Sequence, residues 1–244
     1  MTRVGEFSHP YVILTDTRTG GTFLALCLDM HPMICCWRAE PLGRKIIRRH
    51  TKLTDDQVLD IALGLHHCTA SVGKITAPQV NDVVLDYLET NDVGIIRFKR
   101  AIVDCVISRE VSRINAQPSH TDGGGLSRDR TKPFELEPVE MSPKRVVALC
   151  RYRLQREAML DCHAERIARP TIEITYEECT DSPPNELAPA VTVRVCRFLG
   201  VEPKRLVSPI VRGNPYRRDQ IVSNWEEVDN ALSGAGLAPA VYSA

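Results

Sequence analysis

Residues 11–14, Tyr-Val-Ile-Leu, form a short apolar run, and two residues later comes the polar turn Thr17-Arg18-Thr19-Gly20-Gly21-Thr22. Residues 22–30 are then apolar at Phe23, Leu24, Leu26, Leu28 and Met30, and His31-Pro32 stops them. A β-branched run, a glycine turn and a long apolar stretch read as buried strand, loop and buried helix. The proline biases the residue before it away from helix. The first thirty residues thus read strand–loop–helix, and strands that go on alternating with helices argue for a mainly parallel sheet with helices on both faces.

The rest of the sequence continues the alternation. Thr54 predicts an N-cap, with Asp55 and Asp56 in the first turn and Val58, Leu59, Ile61, Ala62 and Leu65 at helical spacing. Residues 70–75 predict a strand, 80–88 a helix, 93–98 a strand and 101–116 a long helix. Ser142 predicts the cap of a helix over 144–167. A strand follows at 171–175, a helix at 187–199 closed by Gly200, and a short helix at 224–232. The tail after Gly234 is small and reads as frayed. Residues 41–52 are basic and read as surface loop or short helix. Residues 117–143, with Gly123-Gly124-Gly125 and many charges, break the pattern and predict a mobile lid or acceptor loop. The expected fold is a single domain over 1–244, a three-layer α/β/α sandwich with a mainly parallel central sheet.

The turn at 17–22 is suited to an anion. Backbone N–H groups at a helix start converge there, and the helix dipole adds positive potential. Gly20 and Gly21 allow close approach of the backbone. Thr19 and Thr22 offer hydroxyls, and Arg18 a permanent charge with fork geometry. An ATP-binding loop of the GxxxxGK[ST] type places a lysine just before its metal-binding hydroxyl. Here Gly21 precedes Thr22 directly, which weakens a Mg²⁺-nucleotide reading.

Composition narrows the partners. The 244 residues carry 31 basic and 31 acidic side chains, a balance that argues against nucleic-acid coating. The first ten residues lack an apolar core for a signal peptide, and no run approaches a membrane span. A cytoplasmic protein is expected. Nine cysteines in no CxxC pair read as reduced, mostly buried thiols, with His67 and Cys68 closing a helix. His66, His67 and Cys68 lack a second ligand pair at zinc spacing, so no metal site is expected.

Residues 11–42, with Arg-Thr-Gly-Gly-Thr-Phe-Leu, then His-Pro and Glu-Pro-Leu, resemble the PAPS-dependent sulfotransferase family, whose donor is 3′-phosphoadenosine 5′-phosphosulfate. The loop departs from the family's usual Arg-Ser-Gly-Ser-Thr at Thr19 and Gly21. Arg100 after a strand and Ser108 eight residues on match the family's 3′-phosphate pair. Tyr176-Glu177-Glu178, followed by Phe198-Leu199-Gly200, resembles the family's Tyr-Glu-Asp and Phe-Leu-Gly elements. Residues 212–225 resemble its C-terminal basic loop, with only Arg212-Gly213 kept of Arg-Lys-Gly. The resemblance spans about residues 11–232, is patchy through 43–90 and is weakest over 117–143.

The resemblance implies a P-loop-like fold and donor contacts from Arg18, Thr19, Gly20, Gly21, Thr22 and Phe23. It implies Arg100 and Ser108 at the 3′-phosphate and Tyr176 beside adenine. Arg212, Gly213, Arg217 and Arg218 are candidates to cover that phosphate. Arg18 and Lys74 would face the sulfate, and Glu40 would be the general base, ahead of His9, His31 and His120. His31 reads as structural. Arg113, Arg128 and Arg130 would be available to an anionic acceptor. The expected reaction is metal-independent in-line sulfuryl transfer to a small-molecule or carbohydrate acceptor, leaving 3′,5′-adenosine bisphosphate (PAP). The protein would be a monomer or homodimer with no nucleic-acid or membrane partner. A P-loop nucleotide or small-molecule kinase and a non-catalytic nucleotide-binding relative stand as alternatives.

Overall fold

The computed structural model describes residues 9–37, 42, 53–64, 68–114, 138–210 and 217–243. Five strands form one sheet: β1 (His9–Thr15), β2 (Ile34–Cys36), β3 (Ala70–Thr76), β4 (Gly94–Lys99) and β5 (Thr171–Thr175). Their order is β2-β3-β1-β4-β5 and every pairing is parallel. The described helices are α1 (Gly21–Leu28), α2 (Asp55–Leu63), α3 (Asp82–Thr90), α4 (Ile102–Ile114), α5 (Pro143–Ile167) and α6 (Pro189–Phe198). Three more close the chain: α7 (Arg218–Ile221), α8 (Trp225–Gly234) and α9 (Ala238–Val241). Among these residues no helix is long and apolar enough to cross a membrane.

β1 is the central strand, and its side chains explain why it reads as a continuous apolar run. Ile13 points into a core shared with α1 and α6, whereas Val12 and Leu14 point into one shared with α2, α3 and the end of α5. A parallel strand covered on both faces has no polar side to display. A third cluster joins α4, the first half of α5, α8 and α9.

Local signals set several boundaries. Thr54 and Gln57 form a capping box at the start of α2. Asn81 caps α3 by accepting from the Val84 N–H at 2.9 Å. A 3₁₀ turn, Ala77–Gln79, precedes that helix, which begins at Asp82, two residues after the expected start. Pro143 occupies the first turn of α5, one residue before the expected start, where its missing N–H costs nothing.

Two expectations are corrected. The tail does not fray: Val241 is fully buried, and the Tyr242 hydroxyl hydrogen-bonds Asp229. Short sequence with small residues gave no sign of this docking. The cysteines are not all reduced: Cys35 on β2 is disulfide-bonded to Cys68, two residues before β3. Parallel pairing of Ile34 with Ala70 brings the two chain segments side by side, which is what places the thiols together. Of the other seven cysteines only Cys162 is exposed.

Candidate functional site

β1 ends at Thr15, and the chain turns through 16–20 before α1 begins. Two residues of this turn have positive φ: Gly20 at 94° and Arg18 at 65°. For arginine that conformation costs on the order of 1–2 kcal/mol, so the surroundings must hold it.

They do so through the carbonyl oxygens. The Asp16 carbonyl accepts from Thr19 Oγ1 at 2.9 Å. The Thr17 carbonyl accepts from the Arg153 guanidinium, and the Arg18 carbonyl from Arg100 Nη1 at 3.3 Å. The Gly20 carbonyl takes the N–H groups of Phe23 and Leu24. With these acceptors tied back, the turn offers N–H groups on its open side. Gly21 and Thr22, first and second in α1, have no acceptor within the helix. The Phe23 N–H is already used inside the turn, and its ring is core.

Thr19 plays a different part from the one its hydroxyl suggested. It is buried, and Oγ1 lies 2.5 Å from Thr15 Oγ1, which itself donates to the Phe98 carbonyl at 2.8 Å. This hydroxyl braces the turn against β4 rather than facing outward. Thr22 Oγ1 instead accepts from Lys74 Nζ at 2.8 Å. Lys74 arrives from β3, and its stem lies 3.4 Å from where a Cβ on Gly21 would sit.

Arg100 follows β4 directly. Its guanidinium lies 4.3 Å from the centre of the Tyr176 ring, a cation–π distance. Arg100 Nε is buried and has no hydrogen-bond partner among the described residues. Tyr176 follows β5 and is fastened by its N–H to the Lys99 carbonyl at 2.8 Å. A Cβ on Gly20 would come within 2.5 Å of the Tyr176 ring, so only glycine fits there. The neighbouring Glu177 caps α4 by accepting from the Ala101 N–H at 3.1 Å.

The electrostatics are cationic. Burial, and then the nearby Arg109, hold the Arg18 guanidinium below its ordinary value. Among the described residues neither Arg18 nor Arg100 has a carboxylate partner. Ser108 is half-buried on α4, one turn beyond the buried Cys105. Burial pushes the Cys105 thiol up to about 12, against the pull of Arg153 and Arg100, so it stays protonated. No group of three metal-ligating side chains occurs among the described residues.

Other candidates lie elsewhere. Arg218 holds Asp104 with two hydrogen bonds, at 2.7 and 3.0 Å, and stacks over Tyr242. Arg217 holds Asp219 on the surface, and Arg113 holds Glu110. His31 is buried: Nδ1 accepts from the Met33 N–H, so Nε2 carries the proton that goes to the Glu202 carbonyl. His9 opens β1 at the surface. Glu40, His66, His67, His120, Arg128, Arg130, Arg212 and Gly213 lie outside the described residues, as does most of the expected lid.

Sequence reasoning missed the support behind the loop. Asp16, wholly buried, forms an ion pair with Arg156 at 2.6 Å and faces Arg153 at 3.7 Å. Arg97 on β4 pairs with Glu157 and, at 2.8 Å, with Asp161. All four partners on α5 lie along one side of it. The only available signal was the charged spacing of 153, 156, 157 and 161, which an exposed helix face shows equally well.

No family model and no curated protein matches the chain. Among solved structures, a sulfotransferase from Alicyclobacillus acidocaldarius is similar over 97% of this chain and 96% of its own, at 15% identity and a TM-score of 0.50. The sulfotransferase domain from the curacin biosynthetic pathway is similar over 95% and 99%, at 13% identity and a TM-score of 0.48. The parallel five-stranded sheet and its flanking helices are thus the α/β fold of the Alicyclobacillus sulfotransferase, kept at 15% identity.

Proposed function

We propose that the chain is a sulfotransferase that moves the sulfuryl group of PAPS to a hydroxyl or amine of a small-molecule or carbohydrate acceptor. One observation carries the reading. Arg18, Lys74 and Arg100, from three different segments, meet around one N–H-lined turn, and a buried Arg100 Nε has no partner there. They come from the carboxyl-terminal ends of β1, β3 and β4 or the residues just after them, the side where open α/β sheets bind ligands.

In this reading the N–H groups of Gly20, Gly21 and Thr22, with the Thr22 hydroxyl, hold the 5′-phosphosulfate. Arg100 and Ser108 hold the 3′-phosphate, and Tyr176 lies on the adenine side. Arg212 and Gly213 are the remaining candidates to contact the 3′-phosphate, since Arg217 is engaged with Asp219 and Arg218 anchors α7 to α4 through Asp104. The donor supplies an activated sulfuryl group. The acceptor oxygen or nitrogen bonds to sulfur as the sulfur–oxygen bond to the 5′-phosphate breaks, and Glu40 takes the acceptor's proton. Arg18 and Lys74 meet the charge that builds on the leaving phosphate, so the reading requires no metal ion.

Thermal stabilisation by PAP tests the donor site, and labelled PAPS with a panel of acceptors tests the reaction. A melting temperature that saturating PAP leaves unmoved sinks the assignment. Mg²⁺-dependent ATP turnover without PAPS turnover would replace it with a kinase.

A further inference from the structure

The donor turn is held from behind by α5, a 25-residue helix far along the chain. Arg153 on this helix is buried and donates to the Thr17 carbonyl, immediately before Arg18. Its other Nη faces Asp16 Oδ2, while Asp16 Oδ1 accepts from the Thr17 N–H at 2.6 Å. Arg156 completes the cluster from the next turn of the helix. One peptide unit, Thr17–Arg18, is therefore gripped by its own carbonyl oxygen and by the N–H preceding it.

We infer that Arg153 and Asp16 are positioning residues for the donor's 5′ end. Arg18 adopts its left-handed conformation because the Thr17 carbonyl is turned back onto Arg153 and its own carbonyl onto Arg100. If the first of these is released, the Thr17–Arg18 peptide can rotate. The carbonyl would then intrude where N–H groups face an anion, and Arg18 would swing with it. Arg100 follows β4 and rests on the Tyr176 ring, and Ser108 lies on α4, so the 3′-phosphate end of the site has supports other than this grip. Arg153 touches no ligand in this arrangement; it acts through the turn.

This inference rests on the donor reading above, and the test separates the two. The probes are PAP, which carries 5′- and 3′-phosphates, and adenosine 3′-phosphate, which carries only the latter. Wild-type binding of PAP, measured by calorimetry, establishes the donor site; its absence defeats that reading and this one together. Given wild-type binding, Arg153→Met is expected to weaken PAP by about ten- to a hundredfold, the scale of a lost charge-assisted hydrogen bond. Adenosine 3′-phosphate should stay within about twofold. Arg153→Lys, which can reach Asp16 or the Thr17 carbonyl but not hold both, should recover part of the loss. Unchanged PAP affinity in Arg153→Met, or an equal loss of both ligands, overturns the inference. If Arg153→Met does not fold, the same ratio of the two affinities in Arg153→Lys decides it.

Discussion

The guanidinium of Arg100 stacks on the ring of Tyr176, and the edge of that ring rests where a side chain on Gly20 would be. Three segments that end different strands are thereby interlocked: the turn after β1, the residue after β4 and the residue after β5. A side chain at Gly20 should therefore press on Tyr176 and, through it, on Arg100.

Gly20→Ala is the most direct disturbance. A Cβ would meet the Tyr176 ring at 2.5 Å, and φ at this position is 94°. Urea denaturation should show a loss of about 1–3 kcal/mol. PAP affinity should fall in the same variant. Adding Tyr176→Ala should remove the steric part of the stability loss and leave the conformational part.

Lys74→Met should act on turnover more than on folding. The lysine reaches the Thr22 hydroxyl at the start of α1, beside the proposed sulfate site. Loss of one such electrostatic donor lowers kcat by about 10²–10³. Steady-state rates with PAPS check this, and Lys74→Arg should retain part of the activity.

The Arg97–Glu157 pair should dominate the stability of the α5 attachment. Arg97 is 2% exposed, and its pairing with Glu157 and Asp161 ties β4 to α5. Glu157→Ala leaves a buried guanidinium short of charge and should cost about 3–5 kcal/mol in denaturant unfolding. A double change of Arg97→Met with Glu157→Leu should cost less than the single one, because no buried charge is left behind and the more exposed Asp161 keeps Lys99.

The disulfide predicts a thiol count. Of the nine cysteines in the sequence, seven should react in denaturant without reductant, and all nine after reduction. Cys35 and Cys68 are 33 residues apart, and replacing both by serine should lower stability by about 2–4 kcal/mol.

Glu110 predicts an acid-side loss of stability. Burial alone would raise its carboxyl, but hydrogen bonds from Arg145 and Arg113 outweigh this and hold it below the ordinary value. A carboxyl lower in the folded than in the unfolded state stabilises above the unfolded pKa. That stabilisation is lost as pH falls through the ordinary carboxylate range toward the folded value. Wild type should therefore lose stability over that range more steeply than Glu110→Gln, as read from urea midpoints against pH.

Local pattern carried much of the architecture. β1, β3, β4 and β5 lie within two residues of where apolar runs and turn residues placed them, because strand burial and glycine turns are short-range properties. The placement of Lys74, Arg100 and Tyr176 beside the turn was legible too, through motif resemblance, since each lies in or just beyond a strand whose carboxyl end opens on the site. Hydroxyl direction was not: Thr19 and Thr22 read alike in sequence, and only packing against Thr15 turned one inward. The tail looked free because its anchor, Asp229, lies in another helix.

The sequence by itself determined the alternation of strands and helices and the strained turn that caps α1. Tertiary structure alone decided what holds that turn. Thr17 and Arg153 are 136 residues apart, Arg97 and Glu157 are 60, and Cys35 and Cys68 are 33. A charge or a thiol carries no mark of its partner along the chain. Each partner is chosen only when the parallel sheet sets its register and α5 lies down across the end of β1.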